Sequence, residues 1–202
     1  MADNVTIDGA LDATQTSTPG FVHLRVHSAY SLLEGALPLK KILSKATADG
    51  QPAIAVTDTN NLFVALEFSD KAKGEGLQPI LGCQLSIDMQ DATEERRGNN
   101  SLQKLPSLVF LASTADGYQR LVDLVSRAYL NGDPSSGSVC ITRSWLEEGG
   151  NEGMIVLTGA TTGPVDMALK EGHRAIAEQR LQTLSKLFPG SLYIELQRQG
   201  HY

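Results

Sequence analysis

The chain has 202 residues, 41% of them hydrophobic and 20% charged, with a net charge of −6 from 17 Lys and Arg against 23 Asp and Glu. That is enough for one well-buried globular domain, and the acidic balance argues against a module that grips duplex nucleic acid by itself, because phosphate binding draws on clustered Lys and Arg. Two cysteines, Cys83 and Cys140, are too few for a disulfide framework and suit a reducing, cytoplasmic setting.

Residues Met1 to Gly20 contain no Lys or Arg and no long apolar core, so they fit neither a signal nor a transit peptide. A disordered leader is expected over 1–20. No run approaches the roughly 18 apolar residues that would span a membrane, so no membrane partner is expected.

Phe21 to His27 reads as a strand, followed by a polar turn from Ser28 to Gly35 at its C-terminal end, where α/β folds carry their chemistry. His23, Arg25 and His27 alternate and so share one face; His23, the deepest, is expected to be a core histidine. Leu39, Ile42, Leu43 and Ala46 then recur at helical spacing, with Gly50 as the stop. Ala53–Val56 is a short buried strand ending in the polar run Thr57 to Asn61. Leu62–Glu75 reads as a helix closed by Gly76, and Pro79–Ile87 as the third strand. Asp88 to Lys104 is a polar excursion. Ser107–Ala112 is the fourth strand, followed by a helix from Thr114 to Tyr129 and a Gly, Pro and Ser loop at 132–137. A short helix starts near Thr142 to Ser144 and carries Trp145 and Leu146. Gly153–Leu157 is the fifth strand, Gly163–Lys170 and His173–Leu187 are helices, and Leu192–Leu196 is the sixth strand.

Strands and helices in alternation favour parallel βαβ units. The Rossmann fingerprint G-x-G-x-x-G is missing, and polar residues collect at strand ends, so an α/β barrel or barrel-like sheet is expected. An eight-stranded barrel typically takes about 250 residues, so this one is expected to be cut short.

Five blocks in order carry a family resemblance: FVHLRVHSAYSLLEGA at 21–36, AIAVTDTNNLFVALEF at 53–68, QPILGCQLSI at 78–87, YQRLVDLVSRAYL at 118–130 and LYIELQRQG at 192–200. Together they resemble the polymerase and histidinol phosphatase (PHP) domain at the N-terminus of bacterial DNA polymerase III alpha subunits. The resemblance implies a distorted (βα)7 barrel over 21–202, incomplete at its C-terminus, with a polymerase core following. It implies a part in DNA replication within a DNA-directed DNA polymerase, a nucleotidyltransferase. The implied partners are the rest of the alpha subunit, the proofreading exonuclease subunit, other holoenzyme subunits, and DNA through the full-length protein. Mg2+ would belong to the polymerase core, with no cofactor held by this segment.

Family members with a working metal site read H-x-H on the first strand, an acid in the next turn, T-D-H-G after the second strand, Glu on the third and a final His after L-E-L-Q-R. The matching positions here are Arg25 and His27, Glu34, Asp58 and Thr59, Gln84, and Gln199. The resemblance therefore implies a vestigial site with no metal and no catalytic residue. A guanidinium is a permanent cation without an acceptor, and an amide is a poor ligand. Arg25 is expected to pair with Glu34 and Asp58. The alternative is a metal-dependent phosphoesterase or 3′–5′ exonuclease, which the replaced ligands oppose.

Ser28, Tyr30 and Ser31 beside His27 lack the G-x-S-x-G elbow of a nucleophilic serine and are expected to serve the turn. Cys83 is expected to be an inert core thiol. His173 and His201 are expected at the surface. Gly35, Gly82 and Gly159 are expected at tight turns or close backbone approaches.

Overall fold

Leu39, Ile42, Leu43 and Ala46 form the buried stripe of helix α1 (Leu39–Ala48), as their spacing predicts. The helix ends where Gly50 N–H bonds the Thr47 carbonyl and Gln51 N–H bonds that of Ala46, the paired closure of a Schellman motif. The computed structural model describes residues 20–91, 105–131 and 139–197. The expectations for residues 1–19, for most of the polar excursion, for the loop at 132–137 and for Gln199 and His201 lie outside the described residues.

Strand β1 (Ala53–Val56) follows, then α2 (Ala65–Gly74) and the eleven-residue β2 (Gln78–Asp88). Helix α2 starts three residues later than its pattern suggests. The reason is local: Asn60 has φ 56°, and Asn61 Oδ1 accepts the Phe63 N–H, which holds 60–63 in a turn. Then come β3 (Ser107–Ala112), α3 (Ala115–Asn131), β4 (Ile141–Thr142), α4 (Arg143–Glu147) and β5 (Met154–Leu157). A 3-10 turn (Ala160–Thr162) leads into α5 (Pro164–Lys170), α6 (Arg174–Leu187) and β6 (Leu192–Tyr193).

The sheet is mixed, which corrects the all-parallel expectation. Its order is β1-β2-β3-β5-β6, with β4 beside the far end of β2. β1 and β2 are parallel, as are β5 and β6, but β3 runs antiparallel to both β2 and β5. The apolar run SLVFLA is buried on both faces, and two-sided burial reads the same in either direction.

Two further strands differ from their expected extents. Residues 21–27 run extended beside β1, with Ala55 N–H bonded to the His23 carbonyl and Thr57 N–H to that of Val26. Side-chain oxygens take the remaining ladder positions, Gln51 Oε1 from His23 N–H and Thr57 Oγ1 from Val26 N–H, so no regular strand forms. β6 stops at Tyr193, because its neighbour β5 ends at Leu157 and the chain turns away at Gly159. Glu195 N–H bonds Thr158 Oγ1 in place of a ladder partner.

Alternation along the strands divides the core. Leu108 and Phe110 point into the larger cluster with Leu121 and Leu124 of α3 and with Leu184 and Phe188 at the end of α6. Val109 and Leu111 point the other way, toward Ala55 and Leu157. A third cluster packs α1 and α2 on β1 through Leu43, Phe68 and Ile54. Register places Gln84 opposite Val109, and Val109 opposite Leu157, so Gln84 shares the smaller face. Among the described residues no helix is long and apolar enough to cross a membrane.

Candidate functional site

The end of segment 21–27, the residues after β1, the middle of β2, the turn after β5 and the residues after β6 meet at one place, and Arg25 lies at its centre. Its Nε and Nη2 donate to Gln84 Oε1 at 3.0 and 2.6 Å. Nη1 donates to the Gly159 carbonyl at 3.2 Å and to both Glu195 oxygens at 3.1 Å, and Nη2 donates to Thr162 Oγ1 at 3.1 Å. The Arg25 and Glu195 side chains are 14% and 11% exposed, so this charge-assisted network is only partly screened by water.

Arg25 also orients its neighbours. Two guanidinium N–H groups on one atom of Gln84 require that atom to be oxygen. His27 Nε2 lies 3.2 Å from the same oxygen, and there it donates a proton. His27 Nδ1 lies 3.4 Å from Glu34 Oε2, which also accepts from Thr59 Oγ1 at 2.5 Å. Thr59 is held beside Gln84 by an isolated parallel bridge.

Asp58 is 1% exposed and does a different job. Its Oδ1 accepts from Ser28 N–H at 2.7 Å and Ser31 Oγ at 2.5 Å, and its Oδ2 accepts from Ser28 Oγ at 2.6 Å. The two serines thus serve the turn, tying 28–31 to the end of β1. Gly35 closes that turn against the Ser28 carbonyl, so tightly that a Cβ would lie 1.7 Å from it.

Five of the predicted site residues therefore come together: Arg25, His27, Glu34, Thr59 and Gln84. Asp58 faces away into the serine clamp, and the ion pair of Arg25 is made with Glu195, which corrects the expected pairing with Glu34 and Asp58. Glu195, Gly159 and Thr162 were missed as partners. The signal for Glu195 was a lone acid in the otherwise apolar LYIEL; for the other two there was none, since they meet Arg25 only through the fold. His23 is exposed rather than in the core, because segment 21–27 lies outermost beside β1; its ring stacks edge-on to Phe21. His173 is exposed as expected, 3.5 Å from Glu171. Cys83 is buried, its thiol donates to the Asp58 carbonyl, and burial pushes its pKa well up, which keeps it an inert thiol.

Among the described residues the donor set at this place does not suit a divalent cation. Of the donors, His27 and Glu34 stay adjacent, Asp58 is committed to three N–H and O–H groups, and a fixed positive charge binds Gln84. Among the described residues no group of three His, Cys, Asp or Glu side chains is placed to hold a metal.

A family model for the PHP domain matches residues 23–199. The chain is 37% identical over 178 residues to the DNA polymerase III subunit alpha of Pseudomonas fluorescens, covering 88% of this chain and 14% of that one. It is 40% identical over 182 residues to the same subunit of Caulobacter vibrioides, covering 90% and 15%. An amidohydrolase structure from Chromobacterium violaceum superposes with a TM-score of 0.36 at 15% identity, over 80% of this chain and 54% of that one. The chain spans about one seventh of the length of the curated relatives it matches. With the family model running from the first extended segment to just beyond β6, the chain belongs to the PHP domain family.

Proposed function

We propose that this chain is the structural and docking PHP domain of a replicative DNA polymerase III alpha subunit, acting in the cytoplasm, with a vestigial metal site and no catalysis of its own. The observation that carries the reading is Arg25, whose guanidinium occupies the centre of the strand ends and ties together Gln84, Gly159, Thr162 and Glu195. A phosphoesterase or exonuclease would need metals to activate water and neutralise phosphate there, and the donor set does not suit them. Nucleotidyl transfer, with its Mg2+, and contact with DNA would belong to the longer polymerase.

In this reading segment 21–27 is the first strand of a distorted (βα)7 barrel. Its backbone bonds to β1 and to Thr57 just after it, and its Arg25 to Glu195 ion pair, which brings the β1 and β6 sides of the sheet together, support that arrangement.

The docking part rests on an apolar surface next to the site. Tyr30, Leu32, Leu33, Phe63 and Leu66 are all exposed, and the Tyr30 and Phe63 rings meet edge-on at 6.4 Å. Exposed apolar side chains, here with an aromatic pair among them, mark interaction surfaces. The partner proposed is the proofreading exonuclease subunit. Co-elution of that subunit with the wild-type chain, lost in a Leu33→Asp, Phe63→Ser double variant of unchanged melting temperature, is the expected result. Equal capture of both would overturn the assignment of this surface.

A further inference from the structure

We propose that the oxygen-lined hollow around Arg25 is a guanidinium-binding site in its own right, which the chain fills from within. Emptied of that side chain, it is a site that a free guanidinium ion would re-occupy. The inference rests on the structural role given to Arg25 above, and on no partner protein.

The walls of the hollow are oxygens of four kinds: the amide of Gln84, the carbonyl of Gly159, the hydroxyl of Thr162 and the carboxylate of Glu195. They receive N–H groups from Nε, Nη1 and Nη2, as a planar fork requires and a spherical ion does not.

Each wall also has an anchor besides Arg25. Gln84 sits within β2, its own N–H on the Asp58 carbonyl and its carbonyl receiving the Asn60 N–H, and its side-chain oxygen also lies 3.2 Å from His27 Nε2. Gly159 is fixed in the left-handed region at φ 81°, so close to Ser107 that a Cβ would lie 2.1 Å from its carbonyl oxygen. Thr162 Oγ1 donates to the Gly159 carbonyl at 3.0 Å and lies 3.1 Å from Ser107 Oγ. Glu195 is held by its N–H on Thr158 Oγ1 and by Gln197 Nε2 on its carboxylate. A hollow whose walls stand on their own bonds keeps its shape when the occupant is removed, and the 14% exposure of the Arg25 side chain leaves a small ion a way in. Preorganisation of this kind is what lets a small ligand bind at all.

The test compares wild type, Arg25→Gly and Arg25→Lys by thermal denaturation. Arg25→Gly should melt roughly 5 to 10 °C lower. About 10 mM guanidinium chloride, far below the molar range in which it denatures, should restore part of that loss in a saturable manner. Urea, the neutral isostere, and sodium chloride at equal ionic strength should not. Arg25→Lys should stay destabilised and unrescued, because an ammonium cannot span the four walls while its chain blocks the hollow. If Arg25→Gly does not fold alone, its refolding yield with and without guanidinium gives the same answer. No recovery, equal recovery by urea or sodium, rescue by zinc or manganese instead, or a wild-type melting point for Arg25→Lys would each overturn the proposal. None of these outcomes depends on capture of the exonuclease subunit.

Discussion

Arg25 and Glu195 stand 170 positions apart in the chain and 3.1 Å apart in the fold. The pair links the segment before β1 to the residues after β6. Replacing Glu195 with Ala removes the only carboxylate among the described residues that the guanidinium meets and leaves it three neutral acceptors. The side chains are partly reached by water, so the expected loss is about 1 to 3 kcal/mol rather than the larger cost of stranding a fully buried charge. Urea denaturation measures it, and an unmoved midpoint would refute the latch.

Asp58→Asn should cost about 1 to 3 kcal/mol as well, for a different reason. The carboxylate accepts from Ser28 N–H and from the hydroxyls of Ser28 and Ser31. An amide offers one oxygen and turns an NH2 toward donors. Chemical denaturation of the variant tests this, and wild-type stability would show that the clamp contributes nothing.

Gly35→Ala and Gly50→Ala separate crowding from conformation. At Gly35 a Cβ would lie 1.7 Å from the Ser28 carbonyl oxygen, so the turn must move and more than about 3 kcal/mol should be lost. At Gly50 nothing lies within 4 Å of the added Cβ, but φ is +67°. There the cost should be only about 1 kcal/mol. Equal losses in parallel melting curves would contradict the packing of the 28–35 turn.

Cys83 should resist alkylation in the folded chain and react on unfolding. Burial raises its pKa from the ordinary 9.0, and the Asp58 charge adds to the effect. The unfolded chain releases this proton above about pH 9 while the folded chain keeps it. Its contribution to stability is therefore complete below that pH and declines as the pH rises further. Mass spectrometry after a maleimide pulse at pH 8 should find position 83 unmodified; rapid native labelling would disprove the buried thiol.

Calorimetric titration with zinc or manganese should detect no tight site, because among the described residues His27 and Glu34 are adjacent donors without a third. Submicromolar affinity would rule out the vestigial reading of this centre.

The amino-acid sequence by itself determined the kinds of element and the family. Leu39, Ile42, Leu43 and Ala46 show the stripe of α1 because burial on one side of a helix imposes a period that composition records. Runs such as SLVFLA record burial on both faces in the same way. Only the tertiary structure decided which way β3 runs, that Asp58 turns toward Ser28 and Ser31, and that His23 faces out. It also decided that Arg25 meets Glu195, Gly159 and Thr162. The physical reason is common to all four. Periodicity reports how much of a residue is covered, whereas direction and pairing depend on the register between segments far apart in the chain, which no local pattern encodes.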